Sequence, residues 1–201
     1  SLRYEEKRLV IRLQTPVGNC EAIIPHVGEH NIMNAAAATA AGLALEIDLD
    51  IIANGLLTSP TVPRRMEMKQ GPKGYRLVDD TYNANPASTL AAIRYLGTQT
   101  GSRWLVFGDM GELGDMASEF HSHVGSAANY AGVARLFTVG TLSEEAHTTY
   151  KGISEHYSAN TELLSRLESL TSEKSRGVTI LFKGSRTMGL DKVVDYLSRE
   201  E

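Results

Sequence analysis

Past residue 64 short apolar runs alternate with amphipathic stretches, and this rhythm constrains the fold more than any other feature of the chain. The runs occupy residues 75–78, 104–107, 136–139 and 178–182, with a weaker one at 156–157. Between and after them, spacing of three and four predicts helices over 86–96, 117–131, 144–150, 162–170 and 190–197. Pro86 suits the first helical position, where its missing N–H removes no bond. Apolar strands of this length, each followed by a helix, bury both faces only in a mostly parallel sheet with helices on both sides. The expected fold class is therefore α/β. Right-handed crossovers place all the strand carboxyl ends on one edge, where ligands bind in such sheets. The polar clusters fall at that edge: Asp79-Asp80, Gly108-Asp109, Gly140-Thr141 and Lys183-Gly184-Ser185-Arg186.

The first 64 residues follow a different rhythm. Alternation predicts strands at 8–14 and 21–25, then an alanine-rich helix over 32–45 and a second helix to about Leu57 that Asp48 can cap. Ser59-Pro60-Thr61-Val62-Pro63 reads as a linker, because closely spaced prolines disfavour helix and central strand alike. Two domains are expected, 1–64 and 65–201. Twenty basic and 24 acidic residues give a net charge of −4 without a basic stripe, which argues against a nucleic-acid partner. Cys20 is the only cysteine, so neither an internal disulfide nor a cysteine-based zinc site can form. No apolar run approaches the roughly 20 residues of a membrane span, and the first residues carry no signal-peptide core. A cytoplasmic protein without membrane insertion is expected.

Five constellations carry potential chemistry. In Gly28-Glu29-His30-Asn31-Ile32-Met33-Asn34-Ala35-Ala36, Asn31 and Asn34 share a helix face and offer the donors and acceptors that read a purine edge; capping by Asn31 accounts for the same pattern. Arg65, just past the linker, can reach a phosphate bidentately or sit in solvent beside Arg64. In Asp79-Asp80-Thr81-Tyr82-Asn83-Ala84-Asn85-Pro86, a carboxylate ending a strand can accept from ribose hydroxyls, or the polar residues can simply build the turn. Gly108-Asp109-Met110-Gly111-Glu112-Leu113-Gly114 sets two acids in a glycine-rich loop able to approach a ligand and take an ammonium group. Lys183, Ser185 and Arg186 form either a carboxylate or phosphate cradle or a cationic turn. His121 and His123, two apart on a helix, point to different faces and make a poor metal pair.

Taken in order, these segments resemble the Mur ligase family across nearly the whole chain. Residues 28–36 are similar to the family's Gly-x-His-Asn-x-x-Asn-Ala stretch, and 79–86 to its Asp-Asp-x-Tyr-Asn-Ala-Asn-Pro signature. Residues 108–114 are similar to Gly-Asp-Met-x-Glu-Leu-Gly, and 183–186 to Lys-Gly-Ser-Arg. The second and third segments resemble the branch that adds D-alanyl-D-alanine. One departure stands out: the family usually has glycine before its arginine, whereas this chain has Arg64 before Arg65.

The resemblance implies a Rossmann-like C-terminal domain preceded by the end of a central ATPase domain. It implies an ATP- and Mg2+-dependent ligase of cell-wall synthesis, expected as a monomer. In that scheme the C-terminal carboxylate of a UDP-N-acetylmuramoyl-tripeptide is phosphorylated, and the amine of D-alanyl-D-alanine displaces the phosphate. Asn31 would contact adenine with His30 and Asn34 in support, Arg65 the phosphates and Asp80 the ribose. Tyr82, Asn83 and Asn85 would complete the nucleotide site. Asp109, Met110, Glu112, Leu113, Lys183, Ser185 and Arg186 would position the dipeptide. The family's Gly-x-x-Gly-Lys-Ser/Thr phosphate loop has no counterpart among these residues, so most magnesium contacts are expected elsewhere and the chain alone is expected to be inactive. Rival readings are a folylpolyglutamate synthetase-like ligase with another amine substrate, and a non-catalytic nucleotide-binding module. A dinucleotide-binding protein is disfavoured because no Gly-x-Gly-x-x-Gly opens a helix.

Overall fold

Leu9, Ile11 and Leu13 recur at every second position and are buried, which is the period of a strand with one covered face. They lie on β2 (Arg8–Thr15), between β1 (Leu2–Glu5) and β3 (Gly18–Ile24) in a three-stranded antiparallel sheet. Helices α1 (His30–Ala44) and α2 (Leu49–Leu57) follow, and Ala35, Ile32, Ala53 and Leu56 close the core over β2 and β3. The structure, a computed structural model, describes residues 2–5, 8–25, 30–172 and 175–199, with residues 2–5, 8 and 30 described by backbone alone. Gly28 and Glu29 of the first motif, and the His30 side chain, lie outside the described residues. This first unit spans Ser1–Val62, and a second spans Pro63–Glu201.

The second unit holds β4 (Glu67–Gln70), β5 (Arg76–Asp80), α3 (Pro86–Gly97), β6 (Ser102–Gly108), α4 (Ala117–Tyr130), β7 (Arg135–Val139) and α5 (Glu144–Thr149). It continues with β8 (Ile153–Tyr157), α6 (Asn160–Thr171), β9 (Val178–Lys183) and α7 (Leu190–Leu197). Strand order is β4-β5-β9-β6-β7-β8. Every pairing is parallel except that of β4 with β5. The mostly parallel α/β sheet expected from the sequence is thus the one found, with an antiparallel edge added.

Alternation within the strands divides the core into two layers. Leu77, Trp104, Val106, Phe137, Val139, Ile180 and Phe182 face α6 and α7, meeting Leu163, Leu167, Val193, Val194 and Leu197. Helix α3 packs on β9 and β6 with α4 beside it, and buries Ala92, Ile93 and Leu96. Each fully buried Leu, Ile or Phe contributes roughly 1.5–3 kcal/mol. After β8 the chain reverses its travel across the sheet, so a right-handed crossover must return α6 on the second face. No described helix is long and apolar enough to cross a membrane.

Candidate functional site

Strand register decides which polar side chains meet at the carboxyl edge of the large sheet. Pairing of β5 with β9 sets Asp80 opposite Lys183. Lys183 Nζ forms an ion pair with Asp80 Oδ2 at 2.7 Å and donates to the Asn83 carbonyl at 2.7 Å. The Lys183 side chain is 2% exposed and that of Asp80 11%. Burial pulls the Lys183 ammonium below its usual range, against the opposing pull of the Asp80 carboxylate. Asp80 Oδ1 also accepts the Met66 N–H at 3.1 Å, which ties the start of the unit to the strand end.

That start is held in an unusual backbone conformation. Arg64 has φ 63° and Met66 φ 53°, both left-handed. Glycine takes this conformation without a Cβ penalty, which gives a physical reason for the glycine that the resemblance leads one to expect at position 64. Arg64 adopts it with its N–H on Glu67 Oε2 at 3.0 Å and its carbonyl accepting the Tyr82 N–H at 3.0 Å. Its guanidinium pairs with Asp191 and Asp195 of α7. Arg64 is therefore bound to the fold, and the exposed arginine is Arg65.

Arg65 and Arg186 share one aromatic ring. Their guanidinium carbons lie 4.3 and 5.5 Å from the Tyr82 ring centroid, within cation–π reach. All three residues are exposed, and among the described residues neither arginine forms a salt bridge. A cavity of about 250 Å³ adjoins Tyr82 and Arg186, with Arg64, Thr81, Thr187 and Asp191 also in its lining. Two exposed guanidinium groups on one ring, neither with a salt bridge among the described residues, can receive an anion.

The 109–113 loop follows β6. Both Asp109 carboxylate oxygens are engaged, accepting the Thr141 N–H at 3.0 Å and the Ser143 N–H at 2.7 Å. Gly140, at φ 114°, makes this possible, since a Cβ there would lie 2.5 Å from Asp109 Oδ1. The Asp109 carbonyl accepts the Ser185 N–H at 2.9 Å, which stitches this loop to the one after β9. Met110 is fully buried, with its Sδ 3.4 Å from Thr89 Oγ1 and its N–H on His121 Nε2 at 2.9 Å. Glu112 is exposed and left-handed at φ 61°; Leu113 is half-buried.

Several expected contacts change on this geometry. Lys183 has its donors turned to Asp80 and Asn83, so it braces the site from beneath and offers a substrate little. Asp109 is committed to the neighbouring loop, and Met110 presents no side-chain atom to solvent. Asn85 caps α3, accepting the Ser88 N–H at 2.8 Å in a reciprocal capping box. Asn83 turns its Oδ1 to the Ala84 N–H. Exposed besides Asn83 and Asn85 are Arg65, Tyr82, Glu112 and Arg186, with Ser185 half-buried and hydrogen-bonded to Thr187 Oγ1 at 3.1 Å. In the first unit Asn34 Nδ2 donates to Asn31 Oδ1 at 3.1 Å, on the shared helix face that their spacing implies.

Sequence reasoning missed the supporting side chains. Lys69 bridges Asp79 and Asp195 at 3.0 Å each, and Thr81 donates to Asp79 Oδ1 at 2.6 Å. No local pattern marks Lys69, whose partners are supplied by other elements. Gly140 and His121 were visible as residue types but not as partners of the loop.

The chain resembles known proteins along almost its full length. The family profile described as "Mur ligase, glutamate ligase domain" matches residues 64–186. The UDP-N-acetylmuramoyl-tripeptide–D-alanyl-D-alanine ligase of Escherichia coli K12 is 42% identical over 182 residues, covering 90% of this chain and 40% of that protein. The crystal structure of MurF from Acinetobacter baumannii superimposes with a TM-score of 0.90 at 30% identity, covering 99% of this chain and 44% of that one. MurF ligase of Thermotoga maritima, solved with ADP, has the same fold, with a TM-score of 0.84 at 23% identity over 98% of this chain and 45% of that one. This chain thus spans about two fifths of the length of the curated relatives it matches. On the family match and these identities, the chain belongs to the Mur ligase family.

Proposed function

We propose that the full-length protein is an ATP-dependent ligase of peptidoglycan synthesis that joins D-alanyl-D-alanine to a UDP-N-acetylmuramoyl-tripeptide. Residues 1–64 are assigned to the end of its central ATP-binding domain and 65–201 to its C-terminal domain. The observation that carries this reading is the presence of exposed groups of opposite charge on hydrogen-bonded loops at one sheet edge. Arg65 and Arg186 flank Tyr82 without a salt bridge among the described residues, and the loop bearing Glu112 is hydrogen-bonded to the loop bearing Arg186 through Ser185 and Asp109. A ligase must hold an anionic phosphate or carboxylate and a cationic amine close together, and this edge offers a group for each.

The roles follow from what each side chain has left to give. Arg65 binds phosphate oxygens, and Arg186 with Ser185 receives a carboxylate. Asp80 keeps lone pairs beyond its two internal bonds and accepts from a ribose hydroxyl. Asn31, with His30 and Asn34, takes the adenine. Glu112 receives the ammonium of the dipeptide. The tripeptide carboxylate attacks the terminal phosphorus of ATP and ADP leaves; the dipeptide nitrogen, having lost a proton, attacks the acyl carbon and phosphate leaves. Magnesium, when bound, neutralises phosphate charge. The described residues hold no group of three or more His, Cys, Asp or Glu able to bind a metal.

The test is phosphate release by the full-length protein with ATP, magnesium and the UDP-linked tripeptide. D-alanyl-D-alanine is compared with single amino acids and glutamate as the amine. Release that depends on the dipeptide is expected. Dependence on glutamate or another amine would replace the substrate assignment with that of a different ligase. No release with any amine would favour a non-catalytic nucleotide-binding module.

A further inference from the structure

His121 is fully buried on α4. Its Nδ1 lies 2.6 Å from the Ala117 carbonyl, an atom that only accepts, so Nδ1 carries the proton. Nε2 then holds a lone pair, and it accepts the Met110 N–H at 2.9 Å. The ring packs against Phe107 with centroids 5.6 Å apart. Met110 is fixed at its other end as well, where its sulfur meets Thr89 Oγ1. Two residues on, Glu112 sits exposed in a left-handed conformation that a residue with a Cβ holds only when its surroundings impose it. A residue serving only to fill the core has no need of a ring nitrogen aimed at a loop amide. Replacing the imidazole by an apolar side chain strands that buried N–H.

We propose that His121 is the positioning residue of the 109–113 loop: its neutral imidazole anchors Met110 from within the core, and that anchor fixes the turn presenting Glu112 to the amine substrate. The inference rests on the assignment of this loop to the amine. The imidazole acts through Met110 and touches no substrate itself. Its neutral tautomer is essential, because an acceptor is what the Met110 amide requires.

The test uses the full-length protein with His121→Leu, which removes the acceptor, and His121→Gln, whose amide oxygen reaches a similar position. Hydrogen exchange at the Met110 amide is read without substrate, and KM for the dipeptide and for ATP with it. Loss of one buried hydrogen bond predicts exchange about tenfold faster in His121→Leu, a dipeptide KM raised about tenfold and an ATP KM nearly unchanged. His121→Gln should recover most of both effects. Wild-type Met110 exchanging like an unstructured amide overturns the anchor without recourse to any variant. So does unchanged exchange in His121→Leu, or a glutamine variant as impaired as the leucine one. Faster exchange with the dipeptide KM unmoved also overturns the proposal, and locates the failure in the loop's assignment to the amine and not in the anchor.

Discussion

Asp80 and Lys183 are two residues that the sequence places 103 positions apart and the sheet brings to an ion pair with almost no access to solvent. A buried pair of this kind adds little over an apolar replacement, yet breaking it is costly because one charge is left without a partner. Asp80→Asn and Lys183→Met should each destabilise the protein by about 3–5 kcal/mol in urea unfolding. The double variant should lose markedly less than the sum, because it strands neither charge. Additive losses would mean that the two side chains act independently. Both residues stood out in the sequence as members of polar motifs. Their mutual contact did not, because nothing local to residues 79–86 records that β9 inserts between β5 and β6. The same holds for Asp109, whose acidic character suggested a ligand contact but whose oxygens are taken by two backbone amides of the next loop.

The helices and strands were largely legible as elements because burial on one or two faces imposes a period. Two strands escaped. β1 has four residues, and β4 is a polar edge strand whose Glu67, Lys69 and Gln70 leave no apolar run to detect. β8 was only faintly visible, since its Ser154, Glu155 and His156 are half-buried and polar. What holds β8 is partly ionic. Arg166 of α6 reaches Glu155 through two hydrogen bonds, at 2.8 and 3.1 Å, and Tyr157 donates to the same carboxylate at 2.8 Å. Arg166 chiefly holds the Glu155 carboxyl below its ordinary range, while burial opposes it. Burial and the neighbouring Glu155 carboxylate push the Tyr157 phenol well above its own range. A carboxyl depressed by folding contributes stability above its unfolded pKa, and that contribution is lost as pH falls through the folded value. Because the pair is partly exposed, Glu155→Gln should cost only about 0.5–1 kcal/mol near neutral pH. The difference from wild type should vanish once the pH falls below both the unfolded and the depressed folded pKa of Glu155, as measured by urea unfolding across that range. A gap that persists there would assign the loss to packing.

At the scale of the whole molecule, each of the two units has its own hydrophobic cluster, built on β2 and β3 in one and on the six-stranded sheet in the other. A unit with its own core can in principle fold alone. Residues 63–201 expressed alone should therefore unfold in a single cooperative transition, seen as coincident far-UV circular dichroism and tryptophan fluorescence curves from Trp104. Separate transitions would show that the large sheet depends on residues outside it. The amino-acid sequence by itself determined the α/β class, the parallel strands, the edge at which polar loops gather and the motifs of the Mur ligase family. The first three follow from local periodicity and short-range spacing, and the last from the resemblance of four segments to those of the family. Only the tertiary structure decided which motif residues face outward. Arg65, Tyr82, Glu112 and Arg186 do; Lys183, Asp109 and Met110 turn inward to brace them. The physical reason is that a polar group is free for a ligand only when no neighbour has claimed it, and strand order and register, not residue type, supply the neighbours.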